Sequence, residues 1–247
     1  MKSQMFDIYA CLARIASGTH YDALWENVIE CLTHCDVDLI SYTHVSPPHA
    51  ADAGRIDTLI HGYPKGWVKL YLTEDMSTND PLLGAACTQA TPFQWSKVLN
   101  NPNLNLEQKK FTSQFTEWMK GDGYVFPVFG PSGRNGYMSL GNSASIQNWS
   151  IEHIHTLNMI AQTLHVRYSS LRIQELPSKF TLEESEYNLL KEIARGQSTK
   201  SIAELMGLTV DKVTSTLDML ILKMEVGDIP SLIIRGESLG LVKSNMK

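Results

Sequence analysis

The chain has 247 residues, 43% of them hydrophobic and 19% charged, with a formal net charge of −5. This length suits one large domain or two modest ones, and the composition is that of a globular protein able to bury a core. The negative charge excludes a protein that binds nucleic acid over most of its surface, although a small DNA-reading domain needs only a local basic patch.

The spacing of apolar residues predicts two amphipathic helices near the N-terminus, one through Ile8, Leu12 and Ile15 and one through residues 24–32. The N-terminal segment contains the acidic Asp7 and does not resemble a signal peptide. No apolar run approaches the roughly 20 residues of a membrane helix. We therefore expect a cytoplasmic protein with no membrane partner.

The four cysteines, Cys11, Cys31, Cys35 and Cys87, lack the spacing of a disulfide framework or a zinc ribbon. Cys31 and Cys35 lie one helical turn apart beside His34, which permits a metal site. Buried, reduced cysteine on a helix face is more common, and we predict neither a metal nor a cofactor.

Four segments have the pattern of β-strands: Leu39–Val45, Ile56–His61, Tyr124–Phe129 and Tyr137–Leu140. The last two flank a turn-rich segment and predict a hairpin. Helices are predicted where Pro64 opens a short segment, where Asp80-Pro81 begins another, and at Gln108–Lys120 and Ile151–Leu171. Since helices and strands do not alternate strictly, we predict an α/β sandwich, a mainly antiparallel sheet with helices on both faces.

The domain organisation follows from a change of pattern near residue 173. The segment Ile173–Lys179 contains Pro177 and is the best linker candidate, and the chain beyond it is helical in pattern throughout. We assign residues 1–172 to the sandwich domain, 173–180 to the linker and 181–247 to an all-α domain.

A polar and aromatic motif occupies the first domain. Tyr63, Trp67 and Tyr71 are spaced by four and share a helix face, and Asp80-Pro81 and Trp95 follow. In this order and register the motif resembles the ligand domain of LuxR-type quorum-sensing regulators, which bind N-acyl-homoserine lactones. Taken singly, each of these residues is more often a core or helix-start residue, but the joint register favours a ligand site.

The resemblance implies roles that the chemistry of each side chain allows. Asp80 would accept a hydrogen bond from the ligand amide, and Trp67, whose indole N–H can only donate, would bind the lactone carbonyl. Tyr63 and Ser139 would donate hydroxyl groups to the amide carbonyl. Tyr71 and Trp95 would form the aromatic wall around the head group.

Other residues of the same region receive weaker assignments. Gly123 and Pro127 are interpreted as backbone-geometry residues rather than ligand contacts. Tyr137 lies two residues before Ser139, on the same strand face, and would shorten or reshape the pocket near the acyl tail.

Residues 182–242 resemble the helix-turn-helix domain of the same regulators, mainly at packing positions. Gly196 suits a helix C-terminus, and Thr209 suits the N-cap of a recognition helix from Val210 to Met224. The resemblance implies that the domain binds DNA, and the residues expected to carry the contacts are Lys200, Lys212, Thr214, Ser215 and Thr216.

The surface of this domain departs from the family. Residues 180–247 carry eight Lys and Arg against ten Asp and Glu, whereas a DNA-docking module normally has a basic excess. One hypothesis is a ligand-gated transcription regulator that contacts DNA through an unusual set of residues. The other is a receptor with a degenerate helix-turn-helix that acts as a signal sink or as an anti-activator, in a heterodimer with a related regulator.

A third hypothesis is a sensor of another small molecule that uses the same polar residues. We expect no enzyme, because the chain has no phosphate loop, nucleophile elbow or metal-ligand spacing. We expect a homodimer, since helix-turn-helix readers pair to match two half-sites.

Overall fold

The computed structural model describes residues 7–47, 52, 54–147, 149–175 and 182–242. Its contacts divide the chain into two units. The first unit comprises Met1–Val45, Ile56–Gly130 and Asn135–Leu171. The second comprises Ser46–Arg55, Pro131–Arg134 and Arg172–Lys247.

The first unit is built on a five-stranded sheet. Its strands in chain order are β1 (Leu39–Val45), β2 (Ile56–His61), β3 (Phe93–Gln94), β4 (Asp122–Phe129) and β5 (Asn135–Asn142). They lie in the order β2-β1-β5-β4-β3, and every neighbouring pair is antiparallel. The predicted antiparallel sheet and its hairpin, β4 and β5, are therefore confirmed. The short β3 carried no periodic signal and was not predicted.

Seven helices of the described chain belong wholly or mainly to this unit: α1 (Ile8–Ser17), α2 (Tyr21–His34), α3 (Lys65–Thr73), α4 (Pro81–Ala86), α5 (Trp95–Leu99), α6 (Leu106–Trp118) and α7 (Ile151–Glu175). Local capping explains several starts. The Asp7 carboxylate accepts hydrogen bonds from the amides of Tyr9 and Ala10. Asn105 and Gln108 form a reciprocal capping box, so α6 begins two residues before the predicted start.

Alternation along the strands directs side chains into two separate cores. One core lies between the sheet and α1, α2 and α7, and includes Tyr42, Met138 and Leu140; we call this the α7 side. The other lies under α3 to α6 and includes Leu39 and Val125; we call this the α3 side. The prediction of helices on both faces is confirmed.

The expectation of reduced cysteines was wrong for Cys11 and Cys31. Cys11 of α1 and Cys31 of α2 form a disulfide, with their Cα atoms 6.1 Å apart. The pairing joins two helices, so no spacing within one helix reveals it. Cys35 is a buried free thiol and Cys87 an exposed one. Among the described residues, no three His, Cys, Asp or Glu side chains are grouped as metal ligands.

Within the described residues, four further α-helices belong to the second unit: α8 (Glu184–Ala194), α9 (Thr199–Met206), α10 (Val210–Lys223) and α11 (Ile229–Ser238). They share a core that includes Leu190, Val213 and Leu232. Thr209 caps α10 by accepting a hydrogen bond from the Lys212 amide, as expected.

Two sequence expectations concern the segments around these helices. Gly196 follows α8 with φ +82°, a conformation that favours glycine at a helix end. Helix α7 includes the first three residues of the predicted linker, and residues 176–180 of that linker lie outside the described residues. Within the described ranges, no helix combines the length and apolarity needed to cross a membrane.

Candidate functional site

The residues predicted to bind a ligand come together on the α3 side. Trp67 and Trp95 belong to its buried core, and Tyr63 and Tyr71 are partly buried against it. Ser139, on β5, is 7% exposed. The short helix α3, the start of α4, the start of α5 and the strand β5 therefore supply one cluster.

Asp80 is held at the start of α4, with Pro81 in the first helical turn as predicted. Its Oδ1 accepts hydrogen bonds from the amides of Leu82 at 2.8 Å and Leu83 at 3.3 Å. Its Oδ2 accepts the phenol of Tyr71 at 3.0 Å. These bonds turn the carboxylate into the cluster and leave lone-pair capacity on Oδ2 for a further donor.

The electrostatics of this pair reflect its burial. Burial raises the pKa of Asp80 to about 6, although the hydrogen bonds from Tyr71 and the α4 amides act in the opposite direction. Burial, followed by the negative charge of Asp80, raises the pKa of Tyr71 well above its usual value. At neutral pH the site therefore contains a mainly ionised carboxylate and a neutral phenol that donates to it.

Two phenylalanines of α6 orient the aromatic residues. Trp67 makes edge-to-face contacts with Phe111 and Phe115, at centroid distances of 5.7 and 5.5 Å. Trp95 makes a similar contact with Phe115 at 5.4 Å. Phe111 and Phe115 are four residues apart and therefore share one face of α6, but that spacing alone does not identify them as supports of both indoles.

Trp95 rests on a glycine surface. A Cβ atom added to Gly123 of β4 would lie 2.6 Å from two indole atoms, and one added to Gly141 of β5 would overlap the same ring. The absence of these two side chains lets the indole lie against the sheet. The interpretation of Gly123 as a backbone-geometry residue agrees with this contact.

The indole N–H of Trp95 is a buried donor without an acceptor in the described part of the chain. The side chain is 1% exposed. An unpaired buried donor costs free energy, and an indole N–H can only donate. Besides forming part of the aromatic wall predicted from the sequence, Trp95 therefore supplies a donor suited to a ligand oxygen.

Hydroxyl groups gather at the sheet end of the cluster. Burial raises the pKa of Tyr63, an effect reduced by its hydrogen bonds with Ser139 and Ser41. Ser41 of β1 lies directly opposite Ser139 of β5. Ser41 was missed in the sequence, although period-2 alternation from Leu39 places it on this face.

Tyr137 lies in the same core as expected. It packs against the α3 side, and burial raises its pKa to about 12. Its position two residues before Ser139 on β5 agrees with the strand alternation read from the sequence.

The residues predicted to contact DNA are spread along two helices of the second unit. Lys200 lies on α9, and Lys212, Thr214, Ser215 and Thr216 lie on α10. All are exposed except Thr216, which is half-buried. The three hydroxyl groups donate to backbone carbonyls of their own helix. They therefore remain available to a partner mainly as acceptors.

Carboxylates lie close to this surface. Lys223 of α10 pairs with Glu186 of α8, with 2.6 Å between Nζ and Oε2. A cavity of about 420 Å³ is lined by Lys212, Ser215 and Thr216 together with Glu183 and Glu186. Burial opposes ionisation of Glu186, but the bonds from Lys223 and the Glu183 amide lower its pKa overall.

Comparison with known proteins places the first unit in a family. The model of the autoinducer binding domain matches residues 21–168. The transcriptional activator AnoR of Acinetobacter nosocomialis is 24% identical over 225 residues, 90% of this chain and 92% of its own. The transcriptional activator LuxR of Aliivibrio fischeri is 22% identical over 192 residues, 74% of this chain and 72% of its own.

Solved structures share the fold. Escherichia coli SdiA has a TM-score of 0.66, with 16% identity, over 95% of this chain and 97% of its own. SdiA in complex with octanoyl-rac-glycerol has a TM-score of 0.71, with 14% identity, over 97% and 96%. At these identities the likeness establishes the fold alone.

Proposed function

The chain belongs to the autoinducer binding domain family of LuxR-type regulators, and on that premise we propose that it is an N-acyl-homoserine lactone-responsive transcription regulator. The resemblance read from the sequence is confirmed, and the chain is a regulator by family rather than an enzyme. In this proposal residues 1–172 form the ligand-binding domain, residues 173–180 the linker, and residues 181–247 a helix-turn-helix domain. The protein is a homodimer in the cytoplasm.

The single observation that carries the ligand assignment is the pairing of Tyr71 with Asp80 on the α3 side, in the same core that holds the unpaired indole N–H of Trp95. A lactone head group offers one amide N–H and two carbonyl oxygens. Asp80 Oδ2 would accept from the amide N–H, and the indoles of Trp67 and Trp95 would donate to the lactone carbonyl.

The remaining polar groups of the cluster suit the carbonyl oxygen of the ligand amide. Tyr63 and Ser139 lie together at the sheet and would donate to the amide carbonyl. Tyr137 on the same face would bound the pocket toward the acyl tail. Each donor and acceptor of the head group then has a partner of the complementary kind.

Burial of the Asp80 carboxylate links ligand binding to stability. A hydrogen bond to a charged group contributes about 1.5–3 kcal/mol, and the free protein lacks it. A ligand that binds only the folded state stabilises that state by mass action, by about 2.7 kcal/mol at a hundred times its Kd.

Thermal unfolding with and without the lactone tests the assignment. We expect the ligand to raise Tm of the wild-type protein, and expect Asp80→Asn and Trp67→Phe to abolish that increase. Tyr42→Phe, which removes a buried hydroxyl on the α7 side, is the control and should retain it. An undiminished increase in both site variants would contradict the proposal.

A second ligand class is favoured by one comparison, since SdiA of similar fold binds octanoyl-rac-glycerol. An acylglycerol has an ester in place of the amide, so its donors to Asp80 would be its two free hydroxyl groups and not an N–H. In the same assay, a lactone effect lost in Asp80→Asn identifies an amide ligand. An octanoylglycerol effect on the wild-type protein, with no lactone effect, identifies this alternative.

The DNA-binding half of the proposal has α10 as the recognition helix, with Lys200, Lys212, Thr214, Ser215 and Thr216 as contacts. A salt-titrated gel shift with the lactone present tests it. We expect Lys212→Ala to weaken binding uniformly across sequences and to reduce the salt slope by about one. The exposed Lys97 of the first unit is the charge-matched control, and its alanine variant should bind normally.

The second candidate is a receptor whose helix-turn-helix no longer binds DNA. It is favoured by the Lys223–Glu186 pair, which occupies one of the two lysines of α10, and by the exposed apolar side chains Met219 and Leu222. Such a protein would act as a signal sink or bind a related regulator. Absence of any shift at low salt with lactone present would favour it over the first.

A further inference from the structure

The disulfide between Cys11 and Cys31 has a cation beside it. Nη2 of Arg14 lies 3.8 Å from Cys31 Sγ, and its Nη1 pairs with Glu30 at 2.9 Å. The two sulfurs belong to residues that are 1% and 0% exposed, whereas the Arg14 side chain is 46% exposed. A guanidinium beside a cysteine stabilises its thiolate, which is the reactive form.

We propose that Cys11 and Cys31 form a reversible oxidation site that is closed by a small peroxide, with Cys31 as the reacting thiolate and Cys11 as the resolving thiol. Arg14 is the positioning residue, since it acts through the Cys31 sulfur. This function is separate from ligand and DNA binding.

The chemistry proceeds in two displacements. The Cys31 thiolate attacks one oxygen of hydrogen peroxide, the O–O bond breaks, and Cys31 becomes a sulfenic acid as hydroxide leaves and takes up a proton. The Cys11 sulfur then attacks Cys31 Sγ, the S–O bond breaks, and water leaves. Two thiols are oxidised to one disulfide, and one peroxide is reduced to two waters.

Burial decides between classes of oxidant. Because both sulfurs are enclosed between α1 and α2, any oxidant needs an opening of the structure to reach them. A molecule the size of peroxide needs a smaller opening than a bulky disulfide such as oxidised glutathione, for which α1 must undock. Thiol–disulfide exchange depends on such access. The site therefore responds to peroxide faster than to a bulky disulfide.

The neighbouring thiol provides an internal contrast. Cys35 lies one helical turn from Cys31 in the same core, and burial raises its pKa to about 11. A thiol with that pKa is protonated at neutral pH and reacts slowly. Selectivity for Cys31 over Cys35 follows from the guanidinium.

The structural consequence is a covalent tie between α1 and α2. The two cysteines are 20 residues apart, and both helices belong to the core of the α7 side. Closing a loop of this length restricts the unfolded chain and stabilises the fold. Oxidation is expected to raise Tm by roughly 5–10 °C.

The test uses the full-length chain with Cys35→Ser and Cys87→Ser, reduced and then freed of reductant. One equivalent of hydrogen peroxide should produce a Cys11–Cys31 peptide in non-reducing mass spectrometry, together with the rise in Tm. With Cys11→Ser added, a sulfenic acid trap should label Cys31. Equally fast closure by oxidised glutathione, or no closure by peroxide, would overturn the proposal.

Arg14 is tested by the rate of closure. We expect Arg14→Gln to slow peroxide closure about tenfold, corresponding to a one-unit change in thiolate stability, and Arg14→Lys to retain most of the rate. The pH profile of the rate should move upward in Arg14→Gln, which a purely structural role would not cause. Unchanged rate and pH profile in Arg14→Gln would remove Arg14 from the mechanism.

Discussion

The sequence assigns one set of residues to the ligand and another to DNA, and the two sets differ in burial. The ligand set lies in a core, whereas the DNA set lies on a surface. The ligand set comes from several elements and converges on the α3 side, where Asp80 is held by Tyr71 and by the amides of α4. The DNA set lies on the surface of α9 and α10, with its hydroxyl groups bonded to its own helix. Buried polar groups are constrained by their surroundings, whereas exposed ones are constrained only by a partner.

Among the changes that test this difference between the two sets, the largest loss of stability is expected where the Trp95 indole packs on Gly123. Gly123→Ala would place a methyl group 2.6 Å from the indole and should lower the free energy of unfolding by about 3 kcal/mol. Gly84→Ala in α4 is the control, because an added Cβ there meets no atom within 4 Å. Chemical denaturation measures both, and equal stability of the two variants would refute the close contact.

The pH dependence of stability tests the partly buried carboxylate of Asp80. The pKa of Asp80 is raised from 3.8 to about 6, so between these values the folded protein holds a proton that the unfolded chain has released. This contribution to stability is present below pH 4, falls as the pH rises to 6 and stays low above it. Asp80→Asn removes the dependence.

The measurement is the difference in unfolding free energy between Asp80→Asn and the wild-type protein. It should shift in favour of the variant by about 2 kcal/mol from pH 4 to pH 7, somewhat less than two full pKa units would give because Asp80 is only partly buried. A difference independent of pH would show that the Asp80 carboxyl titrates normally.

The smallest expected effect comes from removing one hydroxyl group in each set. Tyr71→Phe withdraws a donor from a buried carboxylate and should cost about 1.5 kcal/mol at pH 7. Thr214→Ala removes an exposed hydroxyl bonded to its own helix and should change stability by less than about 0.5 kcal/mol. If thermal unfolding shows equal losses of stability in Tyr71→Phe and Thr214→Ala, the proposed difference between the two sets is wrong.

Local patterns allowed much of the fold to be predicted. The strands predicted at residues 39–45 and 56–61 have the same bounds as β1 and β2, and Thr209 caps α10 as expected. The ends of other elements moved by a few residues, as in α6, because the capping box at Asn105 starts the helix earlier than its apolar face. The short β3 and α5 lack enough residues to establish a period.

The sequence by itself determined the sandwich, the helical second unit, and the register that relates Tyr63, Trp67, Tyr71 and Asp80, because each depends on periods of two to four residues along the chain. The tertiary structure alone decided the Cys11–Cys31 bond, the placement of Trp95 on Gly123 and Gly141, and the pairing of Lys223 with Glu186. Those contacts join different elements, and their partners are set by how the elements pack, which no local spacing specifies.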